Sequence, residues 1–87
     1  MRIFTYTLST GSLSINTQDG VTQLSVEANQ GSECTVEGNF PFKGLTSGPI
    51  VLEGGQSITL MTYSSSSPLD GVVITHVSGT IDILIGA

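Results

Sequence analysis

The sequence predicts an all-β fold: a β-sandwich or jelly-roll-like barrel of about eight short antiparallel strands, with 1–87 as a single domain. Three observations carry this. Val, Ile and Thr, whose branched Cβ suits a pleated strand better than a helix, supply 26 of the 87 residues. Ala, the best helix former, occurs only twice, whereas Gly occurs 11 times. Apolar residues alternate with period two between breakers that recur about every ten residues, the rhythm of a sandwich or barrel.

Arg2–Leu8 opens the chain with Phe4, Tyr6 and Leu8 on one face and Ile3, Thr5 and Thr7 on the other. Thr10-Gly11-Ser12 turns it into a second short strand, Ser12–Thr17, with Leu13 and Ile15 two apart. Gln18-Asp19-Gly20 has the composition of a hairpin turn. Val21–Ala28 then places Thr22, Leu24, Val26 and Ala28 inward and Gln23, Ser25 and Glu27 outward. After Asn29-Gln30-Gly31, the span Glu33–Glu37 sets Cys34 and Val36 against Glu33, Thr35 and Glu37.

Gly38–Leu45 holds several breakers and two aromatics, so Phe40 or Phe42 is expected to plug one end of the core. Pro49–Leu52 reads as a brief strand, and Glu53-Gly54-Gly55-Gln56 as a sharp turn into Ser57–Tyr63. Ser64–Ser67, before Pro68, is the low-complexity stretch and reads as a surface loop. Gly71–Val77 and Thr80–Ile85, joined at Ser78-Gly79, read as a closing hairpin, with Ile81, Ile83 and Ile85 in the core of a central strand and Asp82 outward. There is no convincing internal repeat.

A chain of this length buries only roughly 60–65% of the surface its unfolded form exposes. Its single cysteine, Cys34, cannot bridge within the chain, and no CxxC or Cys/His spacing offers a structural zinc. Oligomerisation is the remaining source of burial, so a homo-oligomer is expected. Two basic residues, Arg2 and Lys43, face seven acids, giving a net charge of −5. That balance argues against nucleic acid and anionic membrane surfaces as partners. Met1–Tyr6 alternates instead of forming a signal-peptide core, and the apolar runs are too short for a membrane helix. A reducing cytoplasm is therefore the expected place of folding.

Candidate chemistry is sparse. His76 is the sole imidazole, and a Ser64–His76–Asp82 triad can be drawn on paper, but no nucleophile elbow surrounds any of the 12 serines. A strand or interface role fits His76 better. Glu33 and Glu37 share a face but lie about 13 Å apart along a strand, too far for a glycosidase pair. Asp19 and Asp70 each precede Gly, as turn formers do. No DxDxDG loop exists, which leaves only a non-contiguous calcium site between loops. Gly54-Gly55 lacks the GK[ST] of a phosphate loop. Cys34, alternating with Val36, reads as core. The expectation is a non-enzyme with no catalytic residues, no metal and no cofactor. Tyr63, beside the serine loop, and His76 are the candidate ligand or partner contacts. Ile3, Phe4, Tyr6 and Leu8 are the candidate interface, because an end strand with apolar residues on both faces suits edge pairing.

Leu52-Glu53-Gly54-Gly55-Gln56-Ser57-Ile58-Thr59-Leu60, Pro68-Leu69-Asp70-Gly71-Val72-Val73-Ile74 and Ser78-Gly79-Thr80-Ile81-Asp82-Ile83 punctuate the second half. In style and spacing this half resembles the small Gly/Ser/Thr-rich β-domains of bacteriophage virion proteins, such as capsid decoration, head-fibre or tail components. The resemblance implies a symmetric multimer bound to a larger viral protein assembly, located in the virion and assembled in the host cytoplasm, without catalytic residues. The resemblance departs in one respect, since no long anchor or receptor-binding extension is expected beside this domain. The rival expectation is a carbohydrate- or cell-surface-binding module, in which Tyr63 would contact the glycan.

Overall fold

The computed structural model describes residues 2–38, 50–62 and 68–87. Among them are eight strands, β1 (Ile3–Leu8), β2 (Ser12–Ile15), β3 (Gln23–Ala28), β4 (Glu33–Glu37), β5 (Ile50–Glu53), β6 (Ser57–Met61), β7 (Val72–Ser78) and β8 (Ile81–Gly86), plus one 3-10 turn at Thr17–Asp19 and no α-helix. They form two four-stranded antiparallel sheets, ordered β1-β8-β3-β6 and β2-β7-β4-β5. In this order β1 pairs with β8, β2 with β7, β3 with β6 and β4 with β5. The chain is thus one long antiparallel ribbon, folded at its middle and rolled up, which is the jelly-roll arrangement of a sandwich. The predicted fold class holds.

Alternation put the right residues inside. Leu24, Val26 and Ala28 of β3, Cys34 and Val36 of β4, Leu60 of β6, Val72 and Ile74 of β7, and Ile81 and Ile83 of β8 are buried in one cluster, with Ile85 packed against it. Asp82 faces outward. The strand β8 is central, as expected, lying between β1 and β3.

Its expected partner is not its neighbour. The reading of 71–77 and 80–85 as a hairpin is overturned, because β7 pairs with β2 and β4 while β8 pairs with β1 and β3. The Ser78-Gly79-Thr80 link carries the chain from one sheet to the other, so the inward faces of β7 and β8 meet across the core. Gln18-Asp19-Gly20 is corrected in the same way. It belongs to the 3-10 turn that joins β2 to β3 in the opposite sheet, where Asn16 N–H donates to Asp19 Oδ2 at 2.7 Å and Thr17 N–H to Asp70 Oδ1 at 3.0 Å. Both aspartates therefore serve turns. The strand expected over Ser12–Thr17 ends at Ile15 for this reason.

Gly79 explains the sharpness of the β7–β8 corner. Its φ is +73°, and a Cβ there would run into Ser32 Oγ. That hydroxyl, nearly buried, accepts the Thr80 N–H at 2.8 Å, tying the corner to the β3–β4 turn. Phe40, Phe42 and the Ser64–Ser67 loop lie outside the described residues.

Candidate functional site

Two surfaces stand out, and β1 belongs to both. Among the described residues the strand is the outer member of its sheet, with β8 as its sole partner there. Its register runs unbroken from Ile3↔Gly86 to Leu8↔Ile81. Just before it, Arg2 and Ala87 exchange both backbone bonds, at 2.7 and 2.9 Å. In an antiparallel ladder such exchange recurs at every second residue. Phe4, Tyr6 and Leu8 therefore bond β8, while Ile3, Thr5 and Thr7 direct their N–H and C=O groups to the open edge.

The side chains of β1 are unusually bare for so apolar a strand. Ile3 is 62% exposed, Phe4 49% and Tyr6 48%. Phe4 and Tyr6 have the inward parity of Leu8, but at the sheet margin an inward direction does not mean cover. Of the four predicted interface residues, the structure brings Ile3, Phe4 and Tyr6 together on the rim. Leu8 belongs instead to the core at 4% exposed, because it sits opposite the fully buried Ile81.

The second surface is the outer face of the same sheet. Register aligns two rows across its four strands: Thr5, Leu84, Ser25 and Thr59 in one, and Thr7, Asp82, Glu27 and Ser57 in the other. These rows line an open groove of about 410 Å³. Ser25 and Thr59 share a hydroxyl hydrogen bond at 3.2 Å. The Asp82 carboxylate accepts from Thr7 Oγ1 at 3.3 Å and from Asn29 Nδ2 at 2.9 Å, which fixes its direction. Glu27 stands directly across from it with no such partner among the described residues, so two carboxylates and five hydroxyls form a polar, acidic surface. Sequence alternation placed Ser25, Glu27 and Asp82 outward, but it carried no signal that they align, since alignment needs the pairing register.

The chain matches no family model, no curated protein and no solved structure.

His76 is partly buried on β7 and donates from Nε2 to the Gly79 carbonyl oxygen at 2.7 Å, which makes it a brace of the corner. Asp82 hydrogen-bonds Thr7 and Asn29 rather than His76, and Ser64 lies outside the described residues, so no triad is assembled among them. Tyr63 also lies outside them. Cys34 is fully buried, and its thiol is pushed above the ordinary range by desolvation and, secondarily, by the Glu33 carboxylate. Among the described residues no group of three or more His, Cys, Asp or Glu could hold a metal ion. No helix among them is long and apolar enough to cross a membrane.

Proposed function

We propose that this chain is a non-enzymatic structural protein that assembles with copies of itself and docks on a larger protein lattice, as a capsid decoration, head-fibre or tail component of a virion does. In this reading it is assembled in a host cytoplasm and acts in the virion. The observation that carries the reading is the unprotected β1 edge. Natural sheet edges are blunted by charges, Pro, bulges or covering loops. Ile3–Leu8 has no charge, no Pro, no Gly and no bulge, and it exposes three large apolar side chains. Such an edge is a template for another strand. Eight-stranded jelly rolls recur in viral capsid and lectin domains, but a fold hosts many functions, so the weight rests on the edge.

Thr5→Pro tests this directly. The Thr5 N–H points away from β8, so proline there blocks edge pairing and leaves the β1–β8 ladder in place. The wild type is expected to sediment above the 9.0 kDa monomer at high micromolar concentration, and Thr5→Pro to sediment as a folded monomer. A wild type that stays monomeric throughout overturns the reading. A Thr5→Pro variant that assembles like the wild type moves the interface away from β1.

A second reading, a carbohydrate- or cell-surface-binding module, is favoured by the hydroxyl-lined groove. Its two rows contain no aromatic platform, and such stacking is the usual means of holding a sugar face. Glycan-array binding that disappears in Ser25→Arg, which fills the groove, would promote this reading over the first.

A further inference from the structure

Resting on the assembly reading above, we infer that the strand added to β1 is β1 of a second copy, paired antiparallel about a two-fold axis through Thr5. Closed dimers need a patch complementary to itself. The open-edge groups of Ile3, Thr5 and Thr7 meet that need in one register, in which Thr5 faces Thr5 of the second copy and Ile3 faces its Thr7. Three N–H and three C=O groups per strand then find partners at once.

The side chains favour the same register. With Thr5 on the axis in a hydrogen-bonded position, Phe4 of each copy falls opposite Tyr6 of the other in a non-hydrogen-bonded position. There the Cα atoms are only about 4.5 Å apart and cross-strand side chains touch most closely. Both half-exposed rings gain an aromatic partner, twice over by symmetry. A shift of two residues either way replaces the two Phe4–Tyr6 pairs with a single Phe4–Phe4 or Tyr6–Tyr6 pair and leaves fewer open-edge groups of Ile3, Thr5 and Thr7 bonded to one another. No like charges meet across the axis, since residues 3–8 carry none. Four half-exposed rings offer roughly 300–500 Å² for burial, with two Ile3 side chains and two strand edges in addition. That lies below the roughly 1,200 Å² at which stable interfaces begin, so a weak dimer in exchange with monomer is expected. Each sheet continues into the other, and the two grooves open on one face.

Cysteine cross-linking reads the register. In Thr5→Cys the two Cα atoms stand about 5.5 Å apart, within disulfide range. In Thr7→Cys the two sites are four residues out of register, about 13 Å apart, and cannot bridge. Under mild oxidation of the native protein, Thr5→Cys is expected to form a covalent dimer at least about tenfold faster than Thr7→Cys. Cys34, fully buried, does not compete. Phe4→Ala and Tyr6→Ala should each weaken self-association by about tenfold, because each removes both aromatic pairs. A wild type that self-associates while Thr7→Cys bridges as fast as Thr5→Cys overturns this register and leaves the assembly reading standing. A wild type that stays monomeric, with neither variant bridging, overturns both.

Discussion

Ile83→Ala measures how firmly β8 is held at the centre of its sheet. Ile83 is 2% exposed and stands between Tyr6 on β1 and Val26 on β3. The substitution removes three carbons, worth about 2.4 kcal/mol at about 0.8 kcal/mol for each. A residual void of about 40 Å³ adds about 1 kcal/mol, since flanking strands on both sides hinder collapse. The expected loss is therefore about 3 kcal/mol. A domain of this size has only about 4–13 kcal/mol in total. The midpoint of thermal unfolding should fall by about 12–25 °C. Urea titration checks the value through a lower midpoint at unchanged slope. Ile85→Ala, half-buried on the same strand, should cost about half as much, and Ile3→Ala under 1 kcal/mol in the monomer, about what an exposed site loses. A loss below about 1 kcal/mol for Ile83→Ala, or a reversal of the Ile83 and Ile85 order, would refute the central placement of β8.

Three further outcomes follow from the geometry. Gly79→Ala should destabilise by about 1–3 kcal/mol from positive-φ strain alone, and by more than Gly11→Ala, whose added Cβ meets nothing within 4 Å; equal costs in chemical denaturation would remove Ser32 from the account. Tyr6→Pro should lose about 1–3 kcal/mol beyond Tyr6→Ala because the Ile83 carbonyl loses its donor, whereas Thr5→Pro should leave monomer stability nearly unchanged; thermal melts of the variants decide this, and equal damage from both prolines would reverse the assignment of bonded and open positions. The thiol of Cys34 is raised in the folded state, so the unfolded chain releases its proton first. Stability should therefore hold at neutral pH and decline as pH rises past about 8.5, the ordinary thiol value. Denaturation at several pH values should show that decline in the wild type and its absence in Cys34→Ala.

Inward and outward assignment was legible from residue order because side-chain direction in a strand has a period of two and needs no partner. Leu24, Val26 and Ala28 on β3 and Ile81 and Ile83 on β8 are buried as their spacing predicts, and Asp82 is outside. The breakers were legible for a similar reason. Gly11, Gly20, Gly31, Gly55, Gly71 and Gly79 all take positive φ, a local steric demand that composition announces. The all-β class, the strand spacing and the edge character of residues 3–8 follow from such local signals.

Partnership did not follow from them. A strand buried on one face shows the same alternation whether the next strand lies beside it or across the core. The turn at Ser78-Gly79 therefore read as a hairpin when it is a corner between sheets, set by Ser32, Asn29 and His76 from distant parts of the chain or from the strand before it. The same ambiguity hid the rows Thr5–Leu84–Ser25–Thr59 and Thr7–Asp82–Glu27–Ser57, whose members come from four separated segments. Exposure of Phe4 and Tyr6 was equally undecided, because an inward ring is covered only where the sandwich extends beyond it. Sequence determined the faces and the turns. Tertiary pairing alone decided which faces meet and which polar side chains gather, because register is a property of two strands and not of one.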